Sequence, residues 1–300
     1  MISSFSMTFY SCAVFYVFVC LQIFSMKINA LSSIPSKTAL ITGSTDGIGV
    51  TTAKNIASKG YNVIIHGRSA NRIKQAIADV KSFAQIPEEK IFSVEADIST
   101  INGCNNLVHS VQSIIEKNNL SLDILMNNAG VFEEEYTLTS DGLEMTFAVN
   151  VMAPFVITSK LLPNLLKNQA NQSRIVIASS ISQCYSIDDW DDLQCHKRKY
   201  RTHRAYSESK LFDAMLAAEF GTRLEDAGIP KVKITCNSLD PGTVNTKMLL
   251  AGWGACGINV RDAKGTYQYY KFVVYMLLKL EILTCAFNLI NNRSNMALYK

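Results

Sequence analysis

The chain has 300 residues, 48% of them hydrophobic and 18% charged, which suits one substantial core and excludes a disordered chain. A net charge of +4 is too mild to argue for nucleic acid as a partner. The eight cysteines form no C-x-x-C pair and several sit in apolar runs, so they read as buried thiols in a reducing compartment rather than zinc ligands or a disulfide framework.

Residues 1–26 carry no charged side chain, and "CAVFYVFVCLQIF" (12–24) is uniformly apolar. Residues 7–26 are long enough to cross a bilayer. No basic residue precedes them, whereas Lys27 and Lys37 follow, so the positive-inside tendency puts the rest of the chain on the cytoplasmic side. Segment 1–33 is therefore read as a membrane anchor. The alternative is a signal peptide cleaved near "INA" (28–30).

From residue 34 to 266 the pattern is α/β. Apolar strands are expected at 38–43, 61–68, 90–98, 122–130, 173–180 and 232–242. Helices are expected at 49–60, 71–84, 104–118 and 145–166, the last bent at Pro154, and around Tyr206. This alternation implies a parallel sheet covered on both faces, a single doubly wound domain. Between the first strand and first helix lies "TGSTDGIG" (42–49), where Gly43, Gly47 and Gly49 allow a tight turn and a close approach to a pyrophosphate at the helix N-terminus. In "RAYSESKLFD" (204–213), Tyr206 and Lys210 are one helical turn apart and share a face. The loop "DDWDDLQCHKRKYRTHR" (188–204) switches from acidic to basic and reads as a solvated connection, with His196 and His203 as loop residues lacking a third metal-ligand partner. "MLLAGWGACGI" (248–258) is apolar and glycine-hinged.

T-G-x-x-x-G-I-G, then N-N-A-G (127–130), Asn150, Ser179–Ser180, Y-x-x-x-K (206–210) and Pro241–Gly242 occur in one order. From about residue 37 to 255 this set resembles the short-chain dehydrogenase/reductase family. "HGRS" after the second strand, "SKL" after Tyr206, the long 180–206 segment and the apolar N-terminus make it most similar to the retinol dehydrogenase-like branch.

The resemblance implies a Rossmann-type fold and an oxidoreductase moving a hydride between NADP(H) and an apolar alcohol or carbonyl compound. Tyr206 would be the general acid/base and Lys210 the cation that lowers the phenol's pKa and holds the nicotinamide ribose. Ser180 would bind the substrate oxygen, with Ser179 the fallback, and Asn150 would position a relaying water. Cofactor contacts would come from Gly43, Ser44, Asp46, Gly47, Ile48 and Gly49 in the turn, from Asp97 and Ile98 beside adenine, and from Asn128, Ala129 and Gly130 under the ribose. Tyr206, Lys210, Pro241, Gly242, Thr243 and Thr246 would complete the set. The second strand is followed by Arg68 and no carboxylate, which favours NADP over NAD. Asp46 is a counterweight, since an inward charge would repel phosphate. Residues 248–258 correspond to a substrate lid. The expected setting is the endoplasmic reticulum membrane with the domain facing the cytosol, or secretion under the signal-peptide reading. A homo-oligomer is compatible. Segment 267–300 lacks the seventh strand such relatives carry; a helix over the sheet edge and an end without that edge strand both stay open. The rival functions are a cofactor-binding sensor or scaffold without turnover, and a nucleotide-sugar epimerase.

Overall fold

The structure, a computed structural model, describes residues 37–168, 172–254 and 258–259. The readings for segments 1–33 and 267–300 lie outside these residues.

The elements follow the alternation of the sequence: β1 (Lys37–Ile41), α1 (Gly47–Ala57), β2 (Asn62–Gly67), α2 (Ala70–Ala84), β3 (Ile91–Glu95), α3 (Ile101–Lys117) and β4 (Ser121–Asn127). A helical lead-in precedes α4 (Ala153–Lys167), and β5 (Ser173–Ala178), α5 (Thr202–Asp226) and β6 (Ile234–Leu239) complete the layers. Beyond them, β7 (Val244–Asn245) pairs with β8 (Ile258–Asn259), flanking α6 (Lys247–Trp253). The six main strands are all parallel, in the order β3-β2-β1-β4-β5-β6.

Alternate strand residues feed two cores, as a period of two requires. Leu40, Ile64, Leu125 and Ile175 pack with Leu107, Val111, Ile157 and Leu161 of α3 and α4 and with Ala217 of α5. Ala39, Ile41, Val63 and Ile65 point the other way, onto Ala53 and Ile56 of α1 and Val80 of α2. The order changes direction between β1 and β4, and a doubly wound sheet binds ligands at the carboxyl ends of such a pair.

Each main strand ends before the apolar pattern suggests: β1 at Ile41 rather than 43, β4 at Asn127 rather than 130, β6 at Leu239 rather than 242. Residues just past β1 and β4 leave the ladder to form turns that line a cleft, and those past β6 turn toward β7.

The long helix does not bend at Pro154 in the simple sense expected. A short α-helical piece, Met145–Phe147, runs into a π-helical turn, Ala148–Met152, and Pro154 sits in the first turn of α4. Proline has no N–H to give to the Asn150 carbonyl one turn earlier, so the ladder is already disturbed there. The whole run Met145–Lys167 is long and apolar enough to span a membrane by length and composition, and it is the one such run among the described residues. It is nonetheless a core helix: Ile157 and Leu161 are fully buried in the domain.

Candidate active site

The glycine turn between β1 and α1 is held from three sides. Gly43 adopts φ +62°, and a Cβ there would lie 2.8 Å from the Ala129 Cα. A Cβ on Gly49 would come within 2.3 Å of the Gly43 carbonyl oxygen, so only glycine lets α1 start this close to the turn. The Thr42 hydroxyl accepts from the N–H groups of Asn128 and Ala129, both at 3.0 Å, and the Asn128 amide donates to the Thr42 carbonyl at 2.9 Å. His66 closes the third side. Its Nδ1 accepts from the Gly43 N–H at 3.1 Å while Nε2 lies 3.2 Å from the Ala96 carbonyl. A carbonyl can only accept, so the proton is on Nε2 and the ring is neutral. Burial lowers its pKa to about 4 against the opposing pull of the Ala96 carbonyl and Asp97. Sequence reasoning passed over Thr42 and His66; the signal for His66 was a basic ring at a strand position that the pattern makes fully buried.

Beside this turn opens a cavity of about 290 Å³. Gly43, Asp46, Gly47, Ile48, Gly49, Arg68, Asp97, Ile98, Asn128, Ala129, Gly130 and Thr246 of the expected cofactor set line it. Arg72 and Lys247 line it too and were not anticipated. Ser44 does not: it is fully buried, its hydroxyl donates to the Ile41 carbonyl at 2.7 Å and accepts from the His66 N–H at 2.9 Å. Its role is to tie the turn to β2. Pro241, Gly242 and Thr243 also lie outside the cavity wall, Thr243 being exposed. Asp46 caps α1 by accepting from the Gly47 N–H and pairs with Lys247 at 2.6 Å. Burial raises its pKa, but Lys247 and the Gly47 N–H outweigh that and the net shift is downward. The feared repulsion of phosphate is thus offset by a partner cation at the same place. The N-terminus of α1 and the lack of a Cβ at Gly43, Gly47 and Gly49 fit a pyrophosphate.

The chemical groups stand on the β5 and α5 side. Tyr206 is buried, and the Ser180 hydroxyl is among the groups that pull its phenol's pKa down. Ser179 is engaged elsewhere: its hydroxyl donates to the Lys210 carbonyl at 2.6 Å. Ser180, rather than Ser179, is the serine that acts on the phenol's pKa. The Lys210 ammonium lies 5.6 Å from the centre of the Tyr206 ring. It donates to the Ala178 carbonyl at 2.9 Å and to Asp213 Oδ2 at 2.8 Å. A Cβ on Gly130 would sit 3.4 Å from Asn150 Oδ1 and 3.7 Å from the Lys210 nitrogen, so Gly130 is where the cavity wall meets this group.

Burial raises the phenol's pKa and outweighs the downward pull expected of Lys210. Ser180 also pulls it down, Asp213 and Asp240 push it up, and the net shift is upward. The Asn150 side chain is fully engaged by protein partners. Oδ1 accepts from the Val131 N–H at 2.8 Å, and Nδ2 donates to the Val131 carbonyl at 3.0 Å and to Ser209 Oγ at 2.9 Å. The side chain locks Val131 to α5, and the group left for a water is its main-chain carbonyl, which Pro154 cannot serve.

Above the phenol sits an aromatic cluster the sequence did not reveal. Phe132 and Trp253 lie 5.5 and 5.3 Å from the Tyr206 ring, and His203 lies 5.0 Å from Trp253. His203 is thus a residue of α5 in this cluster, not a loop histidine. Trp253 ends α6 within the expected lid; residues 255–257 of that stretch lie outside the described residues. The 188–204 loop is not merely solvated either. Glu208 pairs with Arg198 at 2.6 Å and Arg204 at 3.1 Å, Asp188 pairs with Arg201 at 3.0 Å and with Arg204, and Asp192 accepts the N–H groups of His196 and Arg198. This cluster pins the loop to the first turns of α5, one residue pair beyond Tyr206. Among the described residues no group of histidine, cysteine or carboxylate side chains could hold a metal.

A model of the short chain dehydrogenase family matches residues 37–251. The chain is 33% identical over 217 residues to retinol dehydrogenase 13 of Homo sapiens, covering 72% of this chain and 62% of that one. It is 31% identical over 214 residues to polyprenol dehydrogenase of Homo sapiens, covering 71% and 62% respectively. The chain thus spans a little over three fifths of the length of these relatives. In fold it is similar to 3-ketoacyl-(acyl-carrier-protein) reductase from Brucella melitensis complexed with NADH, with TM-score 0.59, 21% identity and coverage of 82% of this chain and 92% of that one. The sheet order, the glycine turn at its switch point and a family match running from β1 to α6 all lead to one assignment: the chain belongs to the short-chain dehydrogenase family, with relatives on its retinol dehydrogenase-like branch.

Proposed function

We propose that this chain is an NADP-dependent oxidoreductase acting on an apolar alcohol or carbonyl compound, with Tyr206 as general acid/base. The observation that carries the reading is the Lys210 ammonium 5.6 Å from the centre of the buried Tyr206 ring and beside the Gly130 edge of the cleft, with Lys210 and Ser180 both pulling the phenol's pKa down. The bound nicotinamide cofactor would supply or accept the hydride. In the reducing direction Tyr206 gives its hydroxyl proton to the substrate oxygen as negative charge develops there, and Ser180 donates a second hydrogen bond to that oxygen. Lys210, with two of its three N–H groups on Ala178 and Asp213, has one left for a ribose hydroxyl and for re-protonation of the phenol. Water reaching the lysine would be held by the Asn150 main-chain carbonyl. Phe132 and Trp253 exclude bulk water from the phenol and favour an apolar substrate.

Arg68 and Arg72 both line the far end of the cleft, and no carboxylate follows β2. That supports NADP, whose 2′-phosphate a guanidinium can grip bidentately. Attachment to a membrane through residues 7–26 belongs to the same reading, and the full chain should resist carbonate extraction while a chain starting at Leu31 should not.

Titration of the full chain with NADPH and NADH, followed by stopped-flow hydride transfer to retinal, steroid and lipid carbonyls, tests the function. Tighter NADPH binding with turnover on an apolar carbonyl is expected. Binding without oxidation of NADPH by any member of a broad panel would replace the enzyme with a cofactor-binding protein.

A further inference from the structure

One buried charge in the site has no part in the mechanism above. Asp213 lies on α5 one turn after Lys210 and is 1% exposed. Its Oδ2 takes the Lys210 ammonium at 2.8 Å, and its Oδ1 has no hydrogen-bond partner among the described protein atoms. A buried carboxylate with one oxygen unsatisfied is costly, and an apolar or amide side chain would fill the same space in a helix at less cost. Its hydrogen bond is with the cation that lies 5.6 Å from the centre of the Tyr206 ring.

We infer that Asp213 is a positioning residue: it clamps the Lys210 ammonium against the Ala178 carbonyl and cancels part of that cation's field at Tyr206, so that it governs how readily the phenol releases its proton. The inference rests on the proposed role of Tyr206. The charged and titratable groups facing the phenol are few. Lys210 and Asp213 come from α5, Asp240 follows β6, and His203 one turn earlier stacks with Phe132 and Trp253. Asp213 is the one of these in direct contact with Lys210. Its own carboxyl is pushed up by burial to about 6 although Lys210 pulls it down, so it is ionised at neutral pH and pairs as a carboxylate. Lys210 is raised in turn: burial opposes its charge, but Asp213 and Tyr206 more than restore it. The site therefore holds a pair of nearly zero net charge where a lone cation would stand. In such a site the phenol keeps its proton above the neutral range, which suits a proton donor for carbonyl reduction.

The test is Asp213→Asn in the full chain, read by the titration of ¹³C-labelled tyrosine, with the Tyr206 resonance assigned from Tyr206→Phe. Neutralising Asp213 leaves the lysine's charge uncancelled, so the phenol's midpoint should fall by about one pH unit, tenfold more phenolate at a given pH below it. The alkaline limb of carbonyl reduction should move down by the same amount, with a smaller change in the plateau. Asp213→Thr, also neutral and of similar volume, serves if the amide variant does not fold. An unmoved Tyr206 titration in a folded neutral variant overturns the inference and leaves Asp213 a structural partner of Lys210. The titration reads the phenol without turnover: a shifted phenol in a protein that reduces no carbonyl would sink the enzymatic reading and leave the Asp213 effect standing.

Discussion

The two halves of the sheet build their sites by different means. On the β1–β3 side the cleft is made of backbone: the turn at Gly43, the open N-terminus of α1 and main-chain groups pinned by Thr42 and His66. On the β4–β6 side the candidate chemical groups are side chains, Ser180, Tyr206, Lys210 and Asp213, whose properties depend on their mutual placement. A backbone site needs residues that stay out of the way, so it is written as glycines at fixed spacing. A side-chain site needs charges balanced against burial, and that balance depends on partners far apart in sequence.

The difference is tested most strongly at the phenol. Tyr206→Phe keeps the ring and its packing on Phe132 and Trp253 but removes the proton. Turnover on a confirmed substrate should fall by about 10²–10⁴-fold, while NADPH affinity measured by fluorescence titration stays within a few fold, because the phosphate turn belongs to the other half. Near-normal turnover would refute the assignment of the acid. Ser180→Ala should cost less, about 10²–10³-fold in single-turnover rate, again with cofactor affinity preserved, since it removes one donor to the substrate oxygen. Ser179→Ala probes a hydroxyl bound to the Lys210 carbonyl, and a loss as large as that of Ser180→Ala would reverse the choice between the two serines.

How much of this could be read beforehand follows the same division. The six strands, the five helices that cover them and the glycine turn were legible, because periodicity and glycine spacing are local. So was the approach of Tyr206 to Lys210, four residues apart on one helix. The phenol's actual environment was not. Asp213 is only three residues beyond Lys210, yet nothing in the sequence shows that it is buried against the ammonium. Phe132 and Trp253 stand more than 120 residues apart in the chain and meet only over Tyr206, their rings 4.9 Å apart. The partners of the Asn150 amide, Val131 and Ser209, are 19 and 59 residues away and could not be read beforehand. Ser44 looked like part of the cradle by position, but an inward rotation of its hydroxyl toward Ile41 takes it out.

On the backbone side, side chains enter only at the rim, and there the expected effects are smaller. Arg68→Ala should narrow the preference for NADPH over NADH by about tenfold to hundredfold, the range of a charge-assisted bidentate contact, with little change in NADH affinity. Arg72 lines the same end of the cleft, so the double variant should remove more than either single one. Equal affinity for both cofactors in the unaltered protein would break the NADP assignment outright.

The smallest effect expected is on stability, and it comes from the one imidazole inside the backbone half. His66 must stay neutral to accept from Gly43, and its folded pKa of about 4 lies below the ordinary 6.5. Between those values the unfolded chain binds a proton that the folded chain refuses, so stability rises with pH there. The His66 contribution is fully present above about pH 6.5 and is lost as pH falls toward 4, amounting to about 2 kcal/mol between pH 7 and pH 5. Asp213 works with the opposite sign: its folded pKa, about 6, is raised above the ordinary carboxyl value of 3.8, so protonation favours the folded state as pH drops through that range. Raw stability at pH 5 therefore understates the histidine. Urea unfolding of the parent and of His66→Gln at pH 7, 6 and 5 isolates it, because Asp213 is common to both. The gap between them should shrink steadily as pH falls, the variant lacking the group that refuses the proton. A gap that stayed constant across this range would mean that His66 titrates alike in both states and that the neutral ring is not what holds Gly43 in the turn.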